Sequence, residues 1–146
     1  MRASLFCVVG IGLLLLMDTP AKKSPDSEAK LWAATSVSKP IFQEGEVTKT
    51  LQIHFALVNE GKKVVDPEIR SSHLFVNGKE LKDWDFIIAG GIRDDRFKAL
   101  PPADNLSFCY SLGSHFEKPG IYKVHWKGKD FDAPEIIFRV VSQNPN

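Results

Sequence analysis

A chain of 146 residues with 43% hydrophobic and 25% charged side chains has the balance of one soluble globular domain plus a short extra segment. Its formal net charge is +1 and its Lys and Arg are scattered. No basic block is present to hold a phosphate backbone, so nucleic acid is excluded as an expected partner.

Met1 and Arg2 form a short positive start, and Ala3 to Met17 is almost wholly apolar around Leu13-Leu14-Leu15-Leu16. That length suits a secretory signal and is short for a membrane span, which needs about 20 residues. Thr19-Pro20-Ala21 puts small residues before a cut at Lys22. Residues 1–21 are therefore expected to be an export signal, which makes the mature protein secreted or periplasmic, with no stable membrane span after cleavage. A retained anchor or a buried helix is the alternative. No Cys follows the apolar stretch, so a lipoprotein anchor is not supported. Cys7 leaves with the signal and Cys109 stays alone. Such a domain holds together by its core, for which ten Phe and three Trp supply large apolar area.

Residues 22–30 are polar and read as a flexible leader; the domain is expected over 31–146. From Leu31 the pattern changes to short apolar runs broken by turn residues, without helical periodicity. Leu31 to Val37 and Ile41-Phe42, interrupted by Pro40, predict a kinked first strand. Leu51 to Val58 alternates, with Leu51, Ile53, Phe55 and Leu57 inward. His73 to Val76 and Lys79 to Lys82 flank Asn77-Gly78, the signature of a type I′ hairpin. Phe86-Ile87-Ile88 reads as a short strand stopped by Gly90-Gly91, and Ile92 to Asp104 as a charged loop with Leu100-Pro101-Pro102. Leu106 to Leu112 alternates with Leu106, Phe108, Tyr110 and Leu112 on one face. Tyr122, Val124 and Trp126 share the inner face of the next strand, and Ile136, Phe138 and Val140 that of the last. Short strands at roughly ten-residue spacing predict an all-β antiparallel two-sheet sandwich of seven or eight strands.

The segment FEKPGIYKVHWKG (116–128) resembles the penultimate strand of immunoglobulin-like domains. That likeness implies a corner role for Tyr122, its hydroxyl tied to backbone a few residues upstream. The wider layout is similar to exported bacterial immunoglobulin-like sandwich domains, and loosely to the intracellular proteinase inhibitor family of bacilli. The pieces are FALVNEGKKV (55–64), LFVNGKELKDW (74–84), LPPADNLSF (100–108) and KPGIYKVHW (118–126). Together they specify fold far better than activity. No short reactive-site motif of the inhibitors maps onto this chain, so no inhibitory residue is carried over.

A blue-copper arrangement needs two His, a Cys and a Met, but Met1 and Met17 are the only methionines. His54 and His125 face outward on strands expected in different sheets, so they read as surface histidines. Cys109 with His115 or His125 lacks any local signature of a thiol nucleophile. Alternation places Cys109 on the outer face beside Ser107 and Ser111. Because Cys is usually buried, a covering first strand or loop is expected there, with an exposed surface thiol as the alternative. Asp83, Asp85, Asp94 and Asp95 cluster as calcium ligands do, yet Arg93 and Arg96 would neutralise them. Asn105-Leu106-Ser107 is a formal glycosylation acceptor.

The expectation is thus a non-enzymatic extracytoplasmic binding or structural module without a cofactor, whose partner is a protein or, alternatively, a carbohydrate. An enzyme or metal-binding sandwich is the remoter alternative. The candidate binding surface is Trp84, Arg93, Asp94, Asp95, Arg96 and Phe97, since long loops often carry binding. Trp126 is expected to be buried.

Overall fold

Alternation of apolar and polar side chains decides which sheet face turns inward, and here it assembles two facing sheets. The computed structural model describes residues 30–91 and 93–143, so the expected signal and the leader up to residue 29 lie outside the described residues. The described residues form eight strands. One sheet has the order β1-β3-β6, from Leu31–Val37, Gln52–Asn59 and Asn105–Ser111. The other has the order β2-β8-β7-β4-β5, from Ile41–Gln43, Ile136–Val141, Gly120–Lys127, His73–Val76 and Lys79–Glu80. This strand order is that of an immunoglobulin-like sandwich whose first strand is shared between both sheets.

Pro40 makes that sharing possible. It has no N–H to give a ladder, and its carbonyl accepts from Arg139 N–H at 2.9 Å as the chain joins the second sheet. Direction is kept through the kink, so β2 runs parallel to β8 while every other strand pair is antiparallel. The expectation of a wholly antiparallel sandwich is corrected at that one pair.

The inward faces follow the predicted phases. Leu51, Ile53, Phe55 and Leu57, then Val124 and Trp126, then Phe138 and Val140 are all buried. Phe55 sits at the centre, with ring centroids 5.1 Å from Trp126 and 5.3 Å from both Trp84 and Phe108. Two edge or tilted contacts and one stacked contact suit the ring quadrupoles as well as the area buried. Ser72 is the polar centre of this cluster. Its buried Oγ accepts from both Trp84 Nε1 (3.2 Å) and Trp126 Nε1 (3.0 Å) and donates to the Ile69 carbonyl (2.6 Å).

Two local signals are realised as predicted. Asn77 (φ 50°) and Gly78 (φ 77°) both take left-handed backbone, as a type I′ turn between β4 and β5 requires. Tyr122 donates its hydroxyl to the Lys118 carbonyl at 2.7 Å, which is the corner bond. A third prediction fails. Phe86-Ile87-Ile88 is not a strand but part of helix α2, Trp84–Ala89, the second helix after the single turn α1, Val47–Thr50. In α2 the i, i+4 spacing buries Trp84 and Ile88 and leaves Phe86 84% exposed. Beyond it, the expected loop from 93 to 104 contains a 3-10 turn at Asp95–Phe97 and one bridge between Leu100 and Val65.

Candidate functional site

The segment singled out from sequence is braced against the fold. Trp84 is 1% exposed, which corrects its expected place on an open surface: helix α2 turns its indole onto Phe55 and Ser72. Phe97 is half-buried against Phe108 (5.5 Å), and the Arg93 guanidinium lies over the Phe97 ring at 5.2 Å. Nε and Nη2 of Arg93 are shielded and have no hydrogen-bond partner among the described residues. Asp94 caps the 3-10 turn by accepting from Arg96 N–H at 3.0 Å and forms a two-point pair with the Arg96 guanidinium. That pairing holds the Asp94 carboxyl below its ordinary value and raises Arg96 above its own. Arg96 also donates Nη1 to the Asn105 carbonyl, so the turn clips the outer edge of β6. Asp95 stays exposed.

The outer face of the three-stranded sheet is built from small residues. Register places Ala34, Ala56 and Ser107 in one row and Ser36, His54 and Cys109 in the next. These six positions border a shallow hollow of about 320 Å³. Cys109 is exposed, which overturns the expectation of a covered thiol. The reason is geometric: β1 lies beside β3 in the sheet instead of over it, and the 93–104 segment clips the edge of β6, not its face. His54, directly opposite Cys109, is its imidazole neighbour. Sequence offers His115 and His125 for that place; shared parity across neighbouring strands is the signal for His54. His115 instead faces Asp83 at 3.4 Å, His125 pairs with Asp132, and His73 pairs with Glu80. Among the described residues, no three His, Cys, Asp or Glu side chains come together as a metal ligand set.

The outer face of the five-stranded sheet is different in kind. Arg139 on β8 stands between Ile41 on β2 and Ile121 on β7, and Ile137 stands beside Lys123 in the next row. The three isoleucines are 55–60% exposed. At the outward positions of β2, β8 and the first half of β7 there is no carboxylate. Further along, Phe75 lies between His73 and His125, with Lys127 over its ring at 5.1 Å.

No family model and no curated protein matches the chain. Two solved structures of the CARDB domain of the PF1109 protein from Pyrococcus furiosus are similar to it. The solution NMR structure is 16% identical, with 77% of this chain and 94% of that one covered and a TM-score of 0.46. The crystal structure, of that domain in complex with di-metal ions, is 15% identical, with 79% and 96% covered and a TM-score of 0.48. No comparison supports the likeness to the proteinase inhibitor of bacilli.

Proposed function

We propose that the chain is a non-enzymatic, extracytoplasmic protein-binding module that uses the outer face of its five-stranded sheet. The observation behind this reading is the cluster of Ile41, Ile121 and Ile137 around Arg139 and Lys123. Exposed apolar side chains grouped about an Arg offer a dry centre and a directional anchor: such patches mark interaction sites, and Arg is enriched at interface hot spots. The carbohydrate alternative needs a row of exposed aromatics. Trp84 and Trp126 are buried, which leaves Trp32 alone among the tryptophans. Export rests on the sequence of residues 1–21.

A photo-crosslinking residue placed at Ile121 in expressing cells tests the reading. The expected result is a protein adduct of defined mass in the exported fraction, abolished by Arg139→Glu and absent when the probe sits at Ala56. An adduct indifferent to Arg139→Glu, or retention of the protein inside the cell, would refute it. Binding of glycans with a change in Trp32 emission would favour the alternative.

A further inference from the structure

The row Ser36, His54 and Cys109 lies on the other sheet, away from that surface. In an antiparallel ladder, directly opposed residues alternate between hydrogen-bonded pairs and closer, non-hydrogen-bonded ones. Asn59 N–H donates to the Asp104 carbonyl at 3.0 Å, which sets the phase between β3 and β6. His54 and Cys109, five positions along the ladder from that bond, therefore form a close pair, with Cα atoms about 4.5 Å apart. Glu60 N–H, bonded to the Lys30 carbonyl at 2.8 Å, puts Ser36 and His54 in a pair of the wider kind. Strand geometry thus brings His54 closer to Cys109 than to Ser36.

Both side chains are exposed, and among the described residues neither has a side-chain hydrogen bond or ion pair. That separates His54 from His73, His115 and His125, each of which faces a carboxylate. One ring nitrogen of a neutral imidazole and a thiol sulfur are therefore two uncommitted electron-pair donors side by side. In the next row Ala34, Ala56 and Ser107 rise no higher than a hydroxyl, and the shallow hollow there leaves a ligand room.

We propose that His54 and Cys109 hold one soft monovalent metal ion, copper(I), between them. The donors select for softness: thiolate sulfur favours copper(I), and imidazole suits copper as well. On binding, the thiol proton passes to solvent, sulfur and one ring nitrogen each give an electron pair to the ion, and no electron is transferred. Bonds of the length found at zinc sites, about 2.3 Å to sulfur and about 2.0 Å to nitrogen, set the donors about 4.3 Å apart with the ion in line. Side chains on a close pair span that distance. Charge and coordination number act against the common divalent competitor. The thiolate cancels one positive charge, so copper(I) leaves this row neutral. Zinc would keep one charge uncompensated and lack protein ligands at two of its four tetrahedral positions. The nearby Ser36 and Ser107 hydroxyls are hard, neutral donors that do not fill them.

The full chain carrying Cys7→Ser, which leaves Cys109 as its one thiol, tests this by titration with silver(I), then with copper(I) under ascorbate. Native mass spectrometry should show one ion per chain with either metal. In nitrogen NMR of the histidine rings, His54 should shift on binding while His73, His115 and His125 stay in place. His54→Ala should weaken the affinity by at least the about tenfold loss typical of an outer-shell partner, and Cys109→Ser should abolish binding. Zinc(II) at the same concentration should leave the His54 ring unmoved. The ring signals are read with both ligands intact, so a variant that fails to fold cannot mimic them. Absence of a bound ion, an unmoved His54 ring with the ion bound, an affinity indifferent to His54→Ala, equal uptake of zinc(II), or one ion shared by two chains would overturn the proposal.

Discussion

Ser72→Ala isolates the polar centre of the core. The substitution removes one oxygen from a fully buried site, so the void it leaves is small and backbone geometry is untouched. What changes is that Trp84 Nε1 and Trp126 Nε1, at 3.2 and 3.0 Å, lose their shared acceptor in surroundings of Phe55 and Phe131. The Ile69 carbonyl loses the hydroxyl but keeps Ser72 N–H at 3.0 Å, so it is not stranded. A buried donor without a partner costs about 1–3 kcal/mol. Two such donors sharing one moderate acceptor give a loss of about 2–5 kcal/mol, a large part of the about 5–15 kcal/mol that holds a typical domain folded. Urea unfolding followed by Trp emission and far-UV circular dichroism should show a lower midpoint at unchanged slope. Ser71→Ala, at an exposed neighbour, should stay within about 0.5 kcal/mol of wild type. A Ser72→Ala loss as small as that of Ser71→Ala would refute the assignment of the hydroxyl as the common acceptor.

Other expected outcomes follow from single contacts. Val124→Ala should cost about 2 kcal/mol and Lys123→Ala almost nothing, with Tyr122→Phe at about 0.5–1.5 kcal/mol for the corner bond, all read from denaturant midpoints. Native Cys109 should react with a thiol reagent at a rate that denaturant barely changes, since the group is exposed. Gly113→Ala should lower the midpoint, because its added Cβ would meet the Val47 carbonyl oxygen at 2.2 Å and Thr48 Cα at 2.6 Å, both backbone of α1. Asp94 has its folded value lowered from the ordinary 3.8 by its hydrogen bond from Arg96, so its contribution to stability is complete above that value and fades as pH falls through the folded one. A carboxyl NMR titration should give a depressed midpoint that returns to the ordinary range in Arg96→Ala.

What sequence revealed was wherever one face of a strand is apolar and the other polar. Leu51 through Leu57 and Tyr122 through Trp126 obey the period of two because each strand has one dry face and one wet one, so parity alone oriented their side chains correctly. Asn77-Gly78 was legible for a local reason, the shared tolerance of positive φ. Phe86-Ile87-Ile88 forms part of a helix against expectation because three consecutive apolar residues fit a buried strand and a short helix equally, and six residues are too few for a helical period to emerge. Trp84 stands between Asp83 and Asp85, and two charged neighbours conceal a residue that turns inward. Cys109 was placed on the correct face by parity. The cover assigned to it was drawn from the usual habits of cysteine, and no pattern in the chain specified what lies above a sheet. The Ile41, Ile121 and Ile137 cluster required the order of β2, β8 and β7, which depends on contacts between residues almost a hundred positions apart.

The two sheets end in outer faces of opposite character. The outward positions of the three-stranded sheet carry Ala34, Ser36, His54, Ala56, Ser107 and Cys109 and no formal charge. The outward positions of β2, β8 and the first half of β7 carry three exposed isoleucines with Arg139 and Lys123 and no carboxylate. Apolar area and positive charge therefore coincide on one side of the sandwich, and a partner that needs both a dry centre and a charged anchor finds them together, among the described residues, only there.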